Sequence, residues 1–153
     1  MAGKKKIVKT ILIALLIILL ALQFFRPEKN IYDEIPPTDI AKIENIPGDV
    51  SNILVESCYD CHSNNTVYPW YNDIAPVNLF LDNHVKDGKR HLNFSEWANY
   101  SAEKKEHKVE EIGETVEEGE MPLDSYLWLH AEAKLTDAEE AALLDWVANY
   151  SAN

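Results

Sequence analysis

The chain has little sulfur, with two cysteines and two methionines in 153 residues. Both cysteines, Cys58 and Cys61, fall in one four-residue stretch, so they draw no disulfide framework. A structural zinc site needs about four ligands, and a second well-spaced pair is missing. Basic residues are also in short supply, 14 against 26 acidic ones, for a formal net charge of −12. Lys4, Lys5, Lys6 and Lys9 all precede the rest of the chain, which is therefore more acidic still. Such a charge excludes nucleic-acid binding, because phosphate neutralisation demands the opposite sign. No internal repeat occurs and no segment alternates as a strand does, which predicts an all-α fold.

The N-terminal lysines lead into an apolar stretch, Ile7 to Phe25, about 28 Å long as a helix and close to a bilayer's hydrocarbon thickness. Residues 21–25 lack the small-residue pattern of a signal-peptidase site, and no cysteine lies near for lipidation. The expectation is an uncleaved transmembrane helix over residues 1–26, with cleavage as the alternative. The lysines on its N-terminal side put the remainder outside: a single pass of the cell inner membrane, with the C-terminal domain in the periplasm. Residues 27–47, with Pro27, Pro36, Pro37 and Pro47, read as a linker. Residues 48–153 form the domain.

Within that domain Val50, Ile53 and Leu54 recur at helical spacing and lead to Cys58. Residues 63–76 are aromatic and irregular, and a short helix is expected from Val77 to about Lys86. Phe94 to Glu118 reads as a charge-rich helix with Trp97, Tyr100, Val109, Ile112 and Val116 on its sparse apolar face. Gly119-Glu120-Met121-Pro122 breaks it. Thr136 to Glu139 has the form of a capping box, followed by Leu143, Trp146, Val147 and Tyr150 on one helical face.

The chemistry is concentrated in Cys58-Tyr59-Asp60-Cys61-His62. Thiols at i and i+3 can add to the two vinyl groups on one edge of haem, and the adjoining imidazole then lies under the iron. Cys58 and Cys61 are thus the expected thioether positions of one covalently attached haem c, and His62 its proximal iron ligand. A thioredoxin-like dithiol would want a βαβ setting, and none is visible. Met121 is the only methionine after Met1 and stands in a polar, Gly-Pro-bounded segment where a core filler is less expected. It is the expected distal ligand, with His84 the best rival, then His130, while His91 and His107 lie among charges. The second nitrogen of His62 needs an acceptor, expected from residues 68–70 or from Ala75-Pro76. Trp70, Tyr71, Arg90 and Trp128 are candidates for the haem propionates.

These residues also resemble a known family. Cys58 to Thr66, Tyr68-Pro69-Trp70-Tyr71, Ile74-Ala75-Pro76, Leu92 to Trp97, Met121-Pro122, Tyr126 to His130 and Ala133-Lys134-Leu135 look like the bacterial haem-binding domain family. The resemblance spans about residues 48 to 150. It implies a cytochrome c-like helical fold and a small single-haem protein of the cell envelope. An iron held on both faces points to a membrane-anchored one-electron carrier rather than an enzyme, exchanging electrons transiently with redox partner proteins. The alternative is a haem-based sensor or ligand-binding module whose distal position is open or displaceable.

Overall fold

The computed structural model describes residues 2–32 and 34–151. Those residues form helices and turns with no strand, in agreement with the all-α expectation. They divide into two compact units, Met1–Lys29 with Tyr68–His84, and Asn30–Val67 with Val85–Asn153.

The first unit contains helix α1, Ala2–Leu22, whose side chains from Ile7 to Leu20 are largely exposed. Among the described residues no helix is long and apolar enough to cross a membrane. The expected transmembrane helix is therefore not supported, for two reasons. The helix ends at Leu22 rather than Phe25, and its first turns carry Lys4, Lys5, Lys6 and Lys9. Its uninterrupted uncharged stretch runs only from Thr10 to Leu22, about 20 Å of helix. Beyond it the chain folds back on residues 73–78. Gln23 exchanges two hydrogen bonds of 3.0 Å with the backbone of Ala75, and Asn78 Nδ2 donates to the Phe25 carbonyl at 3.0 Å.

The second unit holds the main core. Helix α3, Gly48–Ser57, packs Val50, Ile53 and Leu54 against α8, Asp137–Ala148, and α8 packs in turn on α6, Ala102–Glu117. Gly113 permits the second of these contacts, since a Cβ there would come within 2.9 Å of Val147 Cγ1. The capping box at the start of α8 is present, with Thr136 and Glu139 satisfying each other's backbone.

Two readings of the sequence need correction. Residues 27–47 are not a linker throughout. Asp39 caps the short helix α2, Ile40–Ile43, and both Asp39 and Ile40 are buried. Glu44 accepts from Trp97 Nε1 at 2.9 Å, Lys105 Nζ at 3.1 Å and Tyr150 at 3.2 Å. A segment whose polar groups are satisfied by the core is part of that core, whatever its proline content. Nor is Phe94 to Glu118 one helix. A 3-10 stretch, Phe94–Asn99, precedes α6, which starts afresh at Ser101, whose side chain caps Lys104.

Candidate haem site

Cys58 terminates α3, and Tyr59–His62 form the single turn α4. Two thiols three residues apart thus stand on adjoining turns, with the imidazole at the end. Both thiols are free and half-buried. Burial, with a smaller contribution from Cys61, pushes the Cys58 thiol up to about 12. Burial, then the charge of Asp60, pushes Cys61 up to about 11. A redox-active dithiol needs the opposite, a thiol acidified towards neutrality. These cysteines stay protonated at neutral pH, which weighs against disulfide exchange.

His62 Nδ1 lies 3.1 Å from the Leu92 carbonyl oxygen, which cannot donate, so Nδ1 carries the proton and Nε2 keeps its lone pair. Burial of the ring, foremost, holds its pKa below the ordinary histidine value, so the imidazole is neutral and able to ligate a metal at pH 7. The acceptor is Leu92, not residues 68–70 or 75–76. Helix α5, Val77–His91, runs several residues further than its sequence suggests, straight through Gly88. Glycine is needed there because α5 passes directly over the motif. A Cβ at Gly88 would sit 2.5 Å from the Cys61 carbonyl oxygen and 3.1 Å from Cys61 Cβ. Backbone cannot yield as a flexible side chain does. Gly88→Ala is expected to destabilise the domain by about 1–3 kcal/mol, lowering Tm by on the order of 10 °C in thermal unfolding.

Cys58 and His62 open on a cavity of about 450 Å³, within the roughly 300–1,000 Å³ of typical ligand sites. Leu92, Phe94, Ile112, Val116, Pro122 and Leu135 give it apolar walls. Met121 is also in the lining, whose remaining residues are polar or charged, among them Glu114, Glu118 and Glu120. The position of Met121 follows from the end of α6. Gly119 adopts φ +71°, while Gly119 N–H donates to Val116 and Glu120 N–H to Thr115, the pattern of a Schellman terminus. The Met121 N–H also donates to the Thr115 carbonyl, at 3.0 Å.

The fold therefore brings three of the four expected site residues, Cys58, His62 and Met121, around one cavity. Cys61 adjoins His62 in the chain but is not part of the lining. Of the rivals of Met121, His84, His107 and His130 are not in the lining. His84 belongs to the first unit, where its Nδ1 donates to the Phe80 carbonyl at 2.9 Å. His130 stacks on Tyr126, and His107 pairs with Glu111 at 3.1 Å. His91 is exposed, as its charged surroundings suggest, yet it reaches the rim of the lining, next to Leu92 in the segment that buttresses His62.

Lys108 was also missed. It lines the cavity with Glu111, its hydrogen-bond partner, and that bond is the main reason the Glu111 carboxyl is held below the usual range. Lys108, Glu111, Ile112 and Thr115 share one stripe of α6 at i, i+3, i+4, i+7, a signal legible in the sequence but masked by the surrounding charges. Arg90 and Trp128, expected near propionates, are not in the lining: Arg90 pairs with Asp87 at 2.8 Å, and Trp128 is 81% exposed. Trp70 and Tyr71 belong to the other unit.

A model of the haem-binding domain family matches residues 17–149. The chain belongs to that family. No curated protein and no solved structure matches it significantly. Membership in the haem-binding domain family agrees with the donor set: one imidazole with a free Nε2, a thioether and apolar walls suit haem. A bare metal ion is served less well, since no cluster of three or more His, Cys, Asp or Glu side chains is gathered among the described residues.

Proposed function

We propose that this haem-binding domain is a cytochrome c-like monohaem protein that carries single electrons and is not an enzyme. The observation that carries the reading is the convergence of Cys58, His62 and Met121 on one apolar cavity. Cys58 and Cys61 would hold haem c as thioethers. His62, oriented by Leu92, would ligate the iron from one face and Met121 from the other. Haem bound there supplies a one-electron iron couple. The residues' own work would be to orient the group, to exclude water and to hold the iron through His62 and Met121, the arrangement of a carrier rather than of a site that takes a substrate. Lys108, paired with Glu111, is the basic side chain of the lining that could meet a haem carboxylate. The reading is tested by the proton NMR spectrum of the reduced protein. A methionine methyl resonance strongly shifted upfield is expected, and its absence would count against Met121 and favour the sensor alternative.

The proposed location is the outer face of the cytoplasmic membrane, with transient docking to redox proteins. Membrane attachment draws support from α1, whose apolar side chains are exposed all round, a pattern that calls for lipid or a protein core as solvent. Lys9 can reach the interface by snorkelling, which lengthens the usable apolar segment towards Ile7. The protein is expected to stay in the membrane fraction after alkaline carbonate extraction and to leave it when residues 1–26 are deleted.

A further inference from the structure

The two residues between the cysteines, Tyr59 and Asp60, are each fixed by a tyrosine–aspartate hydrogen bond. Tyr59 donates to Asp39 Oδ1 at 2.8 Å, on the side of the motif facing the core. Asp60 accepts from the Tyr126 hydroxyl at Oδ2, also at 2.8 Å. Asp60 is no loose surface group. Its Oδ1 accepts from the Val67 N–H at 2.9 Å, and its carbonyl accepts from Thr66 Oγ1 at 2.7 Å. Tyr126 is ordered as well, half-buried in the short helix α7, Asp124–Leu127, with its ring stacked on His130 at 4.2 Å between centroids and 7° between planes.

Tyr126 follows closely after Met121-Pro122. The segment 119–126 is thus held at both ends: at Thr115 through the terminus of α6, and at Asp60 through the Tyr126 hydroxyl. We propose that the Tyr126–Asp60 hydrogen bond is a clasp that ties the Met121 segment to the haem-attachment motif and so keeps Met121 at the cavity. Tyr126 is then a positioning residue, and the inference rests on Met121 being the distal ligand. A thioether is a weak donor, so its hold on iron depends on how seldom its segment swings away. A competing ligand binds only the open form, and its apparent affinity scales with the open fraction. A hydrogen bond to a carboxylate is among the stronger kinds, so its loss should raise that fraction roughly ten-fold or more.

The test uses the full-length, haem-loaded protein with imidazole as the competing ligand. Tyr126→Phe is expected to bind imidazole roughly ten-fold more tightly. It should also weaken the methionine-to-iron charge-transfer band of the oxidised protein and speed amide exchange over residues 119–126. Asp60→Asn, reached from the other partner, should act in the same direction. Tyr59→Phe removes a bond of equal length that does not reach the Met121 segment, and should leave imidazole affinity unchanged. Met121→Ala should raise the affinity more than any of them. If Met121→Ala has no effect, the ligand assignment fails and the clasp falls with it. If Met121→Ala raises the affinity but Tyr126→Phe behaves like the wild type, or Tyr59→Phe behaves like Tyr126→Phe, the clasp alone is overturned.

Discussion

Replacing Cys58 and Cys61 together by alanine is expected to abolish covalent haem, so that the denatured protein no longer stains for haem on a gel. The effect should be all or none, because a thioether survives denaturation whereas axial coordination alone does not. Each single variant retains one thiol and is expected to keep some stain, weaker than the wild type. The environment disfavours disulfide exchange, the competing use of the two thiols. Both thiols are free, and burial lifts their pKa values to about 12 and about 11, so neither is poised for thiolate exchange at neutral pH. Stain that persists in the double variant would remove the covalent attachment while leaving a haem-binding domain in place.

The second large effect is expected at Met121. Met121→His replaces a weak donor by a stronger one that favours the oxidised iron. The reduction potential should fall by on the order of 0.1–0.2 V, a modest part of the roughly 0.8 V that axial ligands span. Redox titration of the purified protein measures it. The change is local, because Met121 reaches the cavity from an irregular segment at the end of α6, with no regular helix to disrupt. A potential that does not move would mean that Met121 lines the cavity without touching iron. His91, the one rival histidine in the lining, would then be the next residue to replace.

How much of the site could be read beforehand depended on how far each contact reaches along the chain. Cys58, Cys61 and His62 are adjacent, so their chemistry is written in five residues. The segment around Met121 was legible because Gly119 and Pro122 mark an irregular backbone, and the terminus of α6 at Gly119 bears this out. Leu92 was not legible as the partner of His62, because a backbone carbonyl carries no residue signature and every loop has carbonyls to supply. What selects Leu92 is the passage of α5 over the motif, and the only trace of that in the sequence is Gly88, which reads as a helix end until the neighbouring Cys61 is seen. Asp39 and Glu44 were likewise hidden. Prolines on either side gave their segment the look of a linker, whereas the partners that bury it, Tyr59, Ser95, Trp97 and Lys105, are distant in sequence.

The amino-acid sequence by itself determined the helical class, the acidic character, the spacing of Cys58, Cys61 and His62 and the single methionine beyond Met1, since periodicity, charge and short spacing are local properties. Tertiary structure alone decided that Cys58, His62 and Met121 share a cavity, that Leu92 orients the imidazole, and that Tyr126 reaches back to Asp60. Those pairings join residues some thirty to sixty-odd positions apart, and only the packing of α3, α6 and α8 around a common core brings them within hydrogen-bonding distance or around one cavity.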